Sequence, residues 1–133
     1  MPCDGTLIRS IAVPGELFSV NARTEAGVDR LFCRNERLVM HFKTAFGPMV
    51  MVMVGALVVA SIETVFDTPS SPYRSEATTT HDRQFVRGDE IGRFLLGSTV
   101  IVVLPRNAIT PARHLSIGYR ARMGESLGNI TRA

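Results

Sequence analysis

The sequence predicts a mainly β protein, with antiparallel sheets forming a sandwich or partly open barrel. Three observations point there. From Arg37 to Thr44, the residues Leu38, Met40 and Phe42 alternate with Val39, His41 and Lys43, the period-two pattern of a strand with one buried face. Ala45-Phe46-Gly47-Pro48 then supplies a turn, and Met49 to Val54 alternates Met with Val, so the two segments read as a hairpin whose second strand is apolar on both faces. Glycine and proline punctuate the remaining text, beginning at Pro14-Gly15.

The other elements follow in order. Thr6 to Val13 carries Leu7, Ile8, Ile11 and Val13 and reads as a first strand that stops at Pro14-Gly15. Leu17 to Asn21 reads as a short second strand or extended segment, and the polar Ala22 to Arg30 as a loop or one helical turn. A further strand is expected at about Ala56 to Ile62, running on toward Val65. Asp67 to Gly88, with Pro69, Ser70, Ser71, Pro72 and the run Thr78 to Thr80, reads as a long mobile loop. Phe94-Leu95-Leu96 and Val100 to Leu104 flank Gly97-Ser98-Thr99 as strand text, and Pro105 ends it. Arg106 to Gly118 is connection, Tyr119 to Met123 reads as a last strand, and Gly124 and Gly128 are turn points.

Composition narrows the function classes. A chain of 133 residues is one domain by size, able to bury roughly two-thirds of its unfolded surface. At 45% hydrophobic and 20% charged residues it is globular, not disordered. Net charge is +3, and every basic residue except Lys43 is Arg. Such a surface suits phosphate, carboxylate or a membrane of acidic lipids. The Arg residues are scattered, aromatics are few and no nucleic-acid module is visible, which argues against a nucleic-acid partner. Lys43 lies within strand text, whereas a biotinyl or lipoyl carrier presents its lysine on a hairpin tip. The most apolar stretch, Met49 to Ala60, is short of the roughly 20 residues that span a bilayer, so membrane contact is expected to be peripheral. Residues 1 to 10 do not read as a signal peptide. Cys3 and Cys33 form neither a metal-type pair nor a disulfide framework, fit a reducing compartment, and are expected buried or half-buried.

The segment with chemical content is Gly88 to Ile101. A Gly-Ser step amid apolar strand residues is unusual, because glycine weakens a strand but allows close approach to its backbone. A serine hydroxyl that attacks the carbonyl just before it needs that freedom. Gly-Ser-Thr by itself is a weak signal and reads first as a structural turn or bulge. Of the histidines, His41 reads as a strand residue, His81 as a solvated loop residue and His114 as part of a connection. Asp89 and Glu90 read as turn and solvent residues, with proton acceptance as a second role, and no spacing suggests a metal site.

Several ordered blocks resemble the phosphatidylserine decarboxylase family. They are Pro2-Cys3-Asp4-Gly5, Val13 to Asn21, Leu31 to Arg37, Phe46 to Met49, Val54-Gly55-Ala56, Ser61 to Val65, Gly88 to Ile101 and Arg122 to Gly128, which together span nearly the whole chain. The resemblance implies the C-terminal part of a pyruvoyl-dependent enzyme of phospholipid biosynthesis. Self-cleavage at Gly97-Ser98 would give residues 1–97 and 98–133. Ser98 would be first the nucleophile of that cleavage and then the pyruvoyl group, the Schiff-base former that accepts electrons as phosphatidylserine loses carbon dioxide to become phosphatidylethanolamine. The family's assisting His falls immediately before the position of Met1 and its Asp further upstream, so neither is among these residues and the fold is expected to be incomplete at its N-terminus. The chain by itself is expected to be inactive, as a fragment or remnant, or as a subunit that needs the N-terminal half. By the same resemblance it is expected at a membrane surface, on the cytoplasmic face of the bacterial inner membrane or at the mitochondrial inner membrane. A homo-oligomer is left open.

Overall fold

In a computed structural model, residues 1–57, 62–95 and 98–131 are described. The architecture is mainly β and antiparallel, as expected. β1 (Gly5–Val13), β2 (Arg37–Thr44), β3 (Gly47–Val54), β5 (Ala77–Phe85) and β7 (Thr99–Val103) form one open sheet in the order β5-β1-β2-β3-β7. Two small sheets pair β4 (Ile62–Thr64) with β6 (Gly92–Phe94), and β8 (Ile109–Pro111) with β9 (Gly128–Ile130). Among the described residues the sheets do not close into a barrel.

The expected hairpin is the centre of the large sheet. Thr44 pairs with Gly47 across a two-residue turn, and Gly47 has φ +111°, a conformation that glycine adopts without strain. Leu38, Met40 and Phe42 on β2 and Met49, Met51 and Met53 on β3 are all buried. They pack with Leu7, Ile62, Phe66, Tyr73, Phe85 and Ile91 into one core. Phe66 and Phe85 meet edge to face, as do Phe42 and Phe85. On the opposite face Val39, His41, Val50 and Val52 are only half-covered, so β3 is apolar on both faces but fully buried on one.

Asn21 begins α1 (Ala22–Gly27) by accepting bonds from the amides of Arg23 and Thr24 at 3.1 and 3.0 Å, a capping arrangement that makes the polar stretch after Val20 helical. α2 (Leu31–Arg34) is a single turn that buries Leu31. Between the first strand and α1, of the two readings for Leu17 to Asn21 the strand does not form, and the isolated bridge found there among the described residues is the parallel one of Glu16 with Asn35.

Three expectations are corrected, and a fourth is met in part. Asp67 to Gly88 is not one long loop, because Ala77–Phe85 is the nine-residue edge strand β5, antiparallel to β1. Its composition misleads because an edge strand needs backbone pairing more than apolar side chains, and polar residues on an edge also block further pairing. Tyr119 to Met123 is not a strand; the C-terminal pairing is made by β8 and β9 on either side of it. Of the strand expected at about Ala56 to Ile62 and on toward Val65, Ile62–Thr64 is a strand, and residues 58–61 lie outside the described residues. Cys3 is buried as expected, with its thiol held above its usual range by burial and then by Asp4, but Cys33 is exposed.

Gly15 shows how tightly the loops are seated. A Cβ there would stand 2.4 Å from the Arg34 carbonyl oxygen and 2.6 Å from the Glu36 amide nitrogen. Gly15→Ala therefore forces two backbone segments apart and is expected to destabilise the fold by about 1–3 kcal/mol, read as a lower urea midpoint with an unchanged slope.

Candidate active site

Ser98 does not lie inside a strand. β6 ends at Phe94 in one small sheet, and β7 begins at Thr99 at the edge of the large sheet. The serine therefore occupies the crossing between two sheets, immediately before the Val54–Thr99 pair that closes the β3–β7 ladder. It is half-buried, and its hydroxyl donates to the main-chain carbonyl of Val54. Gly97, the other half of the expected cleavage site, lies outside the described residues.

The residues leading to this crossing have local reasons for their types. Gly88 turns the chain at φ +94°, and the Asp89 carboxylate accepts from the Val86 amide at 2.8 Å. Glu90 pairs with Arg93 at 2.7 Å on the surface, so both acids serve turn and solvent roles. Ile91 is buried, and a Cβ on Gly92 would stand 2.6 Å from the Glu63 carbonyl, so this glycine permits the close β4–β6 pairing.

Sequence reasoning missed the polar knot on the other side of Ser98. Asn35 and Glu36 are both buried. The Asn35 amide nitrogen donates to the Phe18 carbonyl at 2.8 Å and to the Gly55 carbonyl at 2.9 Å, while its oxygen accepts from the Phe18 amide at 3.0 Å. The Glu36 carbonyl accepts from the Gly55 amide at 2.8 Å. Its carboxylate accepts from the Ser71 hydroxyl and, at 2.5 Å, from the Tyr73 amide. The Tyr73 phenol is buried without a hydrogen-bond partner among the described residues; burial and then Glu36 push its pKa far up. Each such bond contributes about 0.5–1.5 kcal/mol net, whereas orphaning a buried partner costs about 1–3 kcal/mol. The knot is therefore held mainly by what its removal would leave unpaired. The available signal was two adjacent polar residues at the mouth of an apolar strand.

The histidines are engaged elsewhere. His81 stands on β5 rather than in a loop, with Nε2 2.9 Å from the hydroxyl of buried Ser10 and its ring edge-on to Phe66. A cavity of about 410 Å³ beside it is lined by Thr64 to Asp67 and His81 to Arg83. His41 faces the half-covered side of β2. His114 lies 3.2 Å from Glu125, whose carboxylate also accepts from the Tyr119 hydroxyl and the Arg122 amide. That Tyr119 bond, then the Arg122 amide, holds the Glu125 carboxyl below its usual range. Among the described residues no group of His, Cys, Asp and Glu could hold a metal ion. No helix there is long and apolar enough to cross a membrane.

The open antiparallel sheets define a mainly β protein with a half-buried serine just before the edge strand β7. The comparisons with known proteins say which. The family model for phosphatidylserine decarboxylase matches residues 1–129, and the chain belongs to that family. Proteins named phosphatidylserine decarboxylase proenzyme are 52% identical in Psychrobacter arcticus over 97% of this chain and 47% of that protein, and 45% identical in Glaesserella parasuis over 98% of this chain and 46% of that protein. The Xylella fastidiosa protein of the same name (strain M12) is 47% identical. The chain thus spans about half the length of the curated relatives it matches.

Burial, and for His41 then Arg9, lowers the pKa of both His41 and His81; Asp67 partly opposes the shift at His81. A lowered folded value means that the neutral ring is the stabilising form. That contribution is present above the unfolded value of about 6.5 and is lost as pH falls through the folded values. Thermal midpoints are expected to fall between pH 7 and pH 5, with a shallower fall in His81→Gln.

Proposed function

We propose that Ser98 is the self-cleavage residue of this chain and that the processed protein decarboxylates phosphatidylserine. The observation that carries this reading is the family match through residue 129, together with a serine at a sheet crossing where its hydroxyl is held by backbone. The Ser98 hydroxyl attacks the preceding carbonyl, and the acyl group moves from nitrogen to oxygen to give an ester. Loss of the Ser98 α-proton expels the carboxylate of residue 97, which breaks the chain and leaves a dehydrated residue at 98. Water then releases ammonia and leaves a pyruvoyl end on 98–133.

The residues present fit that group. Ser98 supplies its carbon skeleton, and the Val54–Gly55 peptide beside it gives a fixed, half-buried seat. When formed, the group supplies an electron sink for decarboxylation of an amine substrate. The chain's own part is to hold that end in place and limit water around it. A serine hydroxyl is a weak nucleophile without a base, and among the described residues its partner is a carbonyl rather than an imidazole or carboxylate. We place the base in the N-terminal portion that the relatives carry. A lipid substrate and an Arg-rich surface of net charge +3 support peripheral docking on the cytoplasmic face of a membrane rich in acidic lipid.

The test is intact mass. Joined behind the N-terminal portion of the Psychrobacter arcticus proenzyme, the chain is expected to yield a 98–133 piece with a blocked, ketone-reactive start, and to stay at full mass when expressed alone. Ser98→Ala in the joined protein should remain a single chain and lose all decarboxylation. A Ser98→Ala protein that is still cut, or a folded joined protein that never is, would overturn the reading.

A further inference from the structure

We infer that Asn35 and Glu36 are positioning residues for Ser98, acting through the two consecutive peptide units that meet at Gly55. The Val54 carbonyl and the Gly55 amide belong to the same planar group. Its carbonyl accepts from the Ser98 hydroxyl, and its N–H donates to the Glu36 carbonyl at 2.8 Å. One residue on, the Gly55 carbonyl accepts from the Asn35 side chain at 2.9 Å. A planar peptide cannot turn one end without the other, so the Glu36 backbone carbonyl fixes the unit that carries the serine's acceptor, while the Asn35 side chain holds the next unit at Gly55.

The corner is itself tied down from two further directions. Asn35 grips both polar groups of Phe18, and the Glu36 carboxylate grips the Ser71 hydroxyl and the Tyr73 amide. Both side chains are at most 1% exposed. Among the described residues no Arg or Lys forms an ion pair with Glu36. A buried carboxylate whose donors among the described residues are neutral is costly to keep, and a hydrophobic pair would fill the same space. An apolar pair would keep the Glu36 backbone carbonyl but could neither hold the Gly55 carbonyl nor accept from the Tyr73 amide, so the corner that presents that carbonyl would lose its anchors. Gly55 also has its role here, because a Cβ would stand 3.3 Å from the Glu36 carbonyl oxygen and press against this bond.

The inference rests on Ser98 being the cleavage residue, and the experiment separates the two. The full chain joined behind the N-terminal portion of the Psychrobacter arcticus proenzyme is made unsubstituted, as Asn35→Ser, as Glu36→Gln and as Phe85→Leu. Serine at 35 is too short to reach the Gly55 carbonyl. Phe85 is a buried core residue on β5, at the opposite edge of the sheet from β7, and serves as a destabilised control. The first-order appearance of the 98–133 piece and the amount of hydroxylamine-cleavable ester are followed by mass, with the folded fraction measured by circular dichroism. Asn35→Ser is expected to slow cleavage at least tenfold and to lower the ester in step while staying folded. Phe85→Leu, with an equal or larger loss of thermal midpoint, should process at the unsubstituted rate. Equal slowing in both for equal destabilisation overturns the positioning role. If Asn35→Ser does not fold, Glu36→Gln is read against the same control, with at least threefold slowing expected and no slowing beyond the control overturning the role. An unsubstituted joined protein that folds and is never cut overturns the Ser98 reading instead.

Discussion

The Val54–Gly55 peptide is the constraint on which the neighbourhood of Ser98 depends. It terminates β3, receives the serine hydroxyl on one side and is anchored to the Glu36 backbone on the other. Because it is planar, it transmits position rather than merely tolerating it. Four stretches that are far apart in sequence meet there: the loop at Gly15 to Phe18, the corner at Arg34 to Glu36, the end of β3 and the start of β7. The close approach at Gly15 and the three bonds of Asn35 leave this junction little room to adjust.

The large sheet serves that junction by bringing β3 and β7 together. Its core is built from methionines on β3 beside Leu, Met and Phe on β2, a flexible filling. Its two edges differ. β5 is polar and half-buried at Ala77, Thr79 and His81, whereas β7 exposes Val100, Val102 and Val103. The serine thus stands at the apolar edge, in a chain that spans about half the length of its relatives. None of the three histidines is hydrogen-bonded to Ser98 among the described residues; His81 is engaged with Ser10 and His114 with Glu125.

Much was legible in the residues themselves. The alternation of Leu38, Met40 and Phe42, the turn at Phe46-Gly47 and the Met–Val strand after it specify the central hairpin, because strand periodicity and turn chemistry are local properties. The ordered motif blocks specify the family. Local text also explains the acids at 89 and 90, which serve a turn and a surface ion pair.

Other features depend on partners distant in sequence, and only the tertiary structure decided them. Thr78 to Thr80 read as loop because their side chains carry no apolar pattern, yet β1 supplies the backbone partners that make them a strand. Tyr119 to Met123 read as strand, yet Glu125 gathers Tyr119 and the Arg122 amide into a turn instead. Asn35 and Glu36 look like ordinary surface residues until Phe18, Gly55, Ser71 and Tyr73 close around them. Residue type and spacing determine what a segment can pair with and which chemistry it can carry. Which carbonyl faces the serine is set by contacts across 44 residues of chain, and those exist only once the sheet has formed.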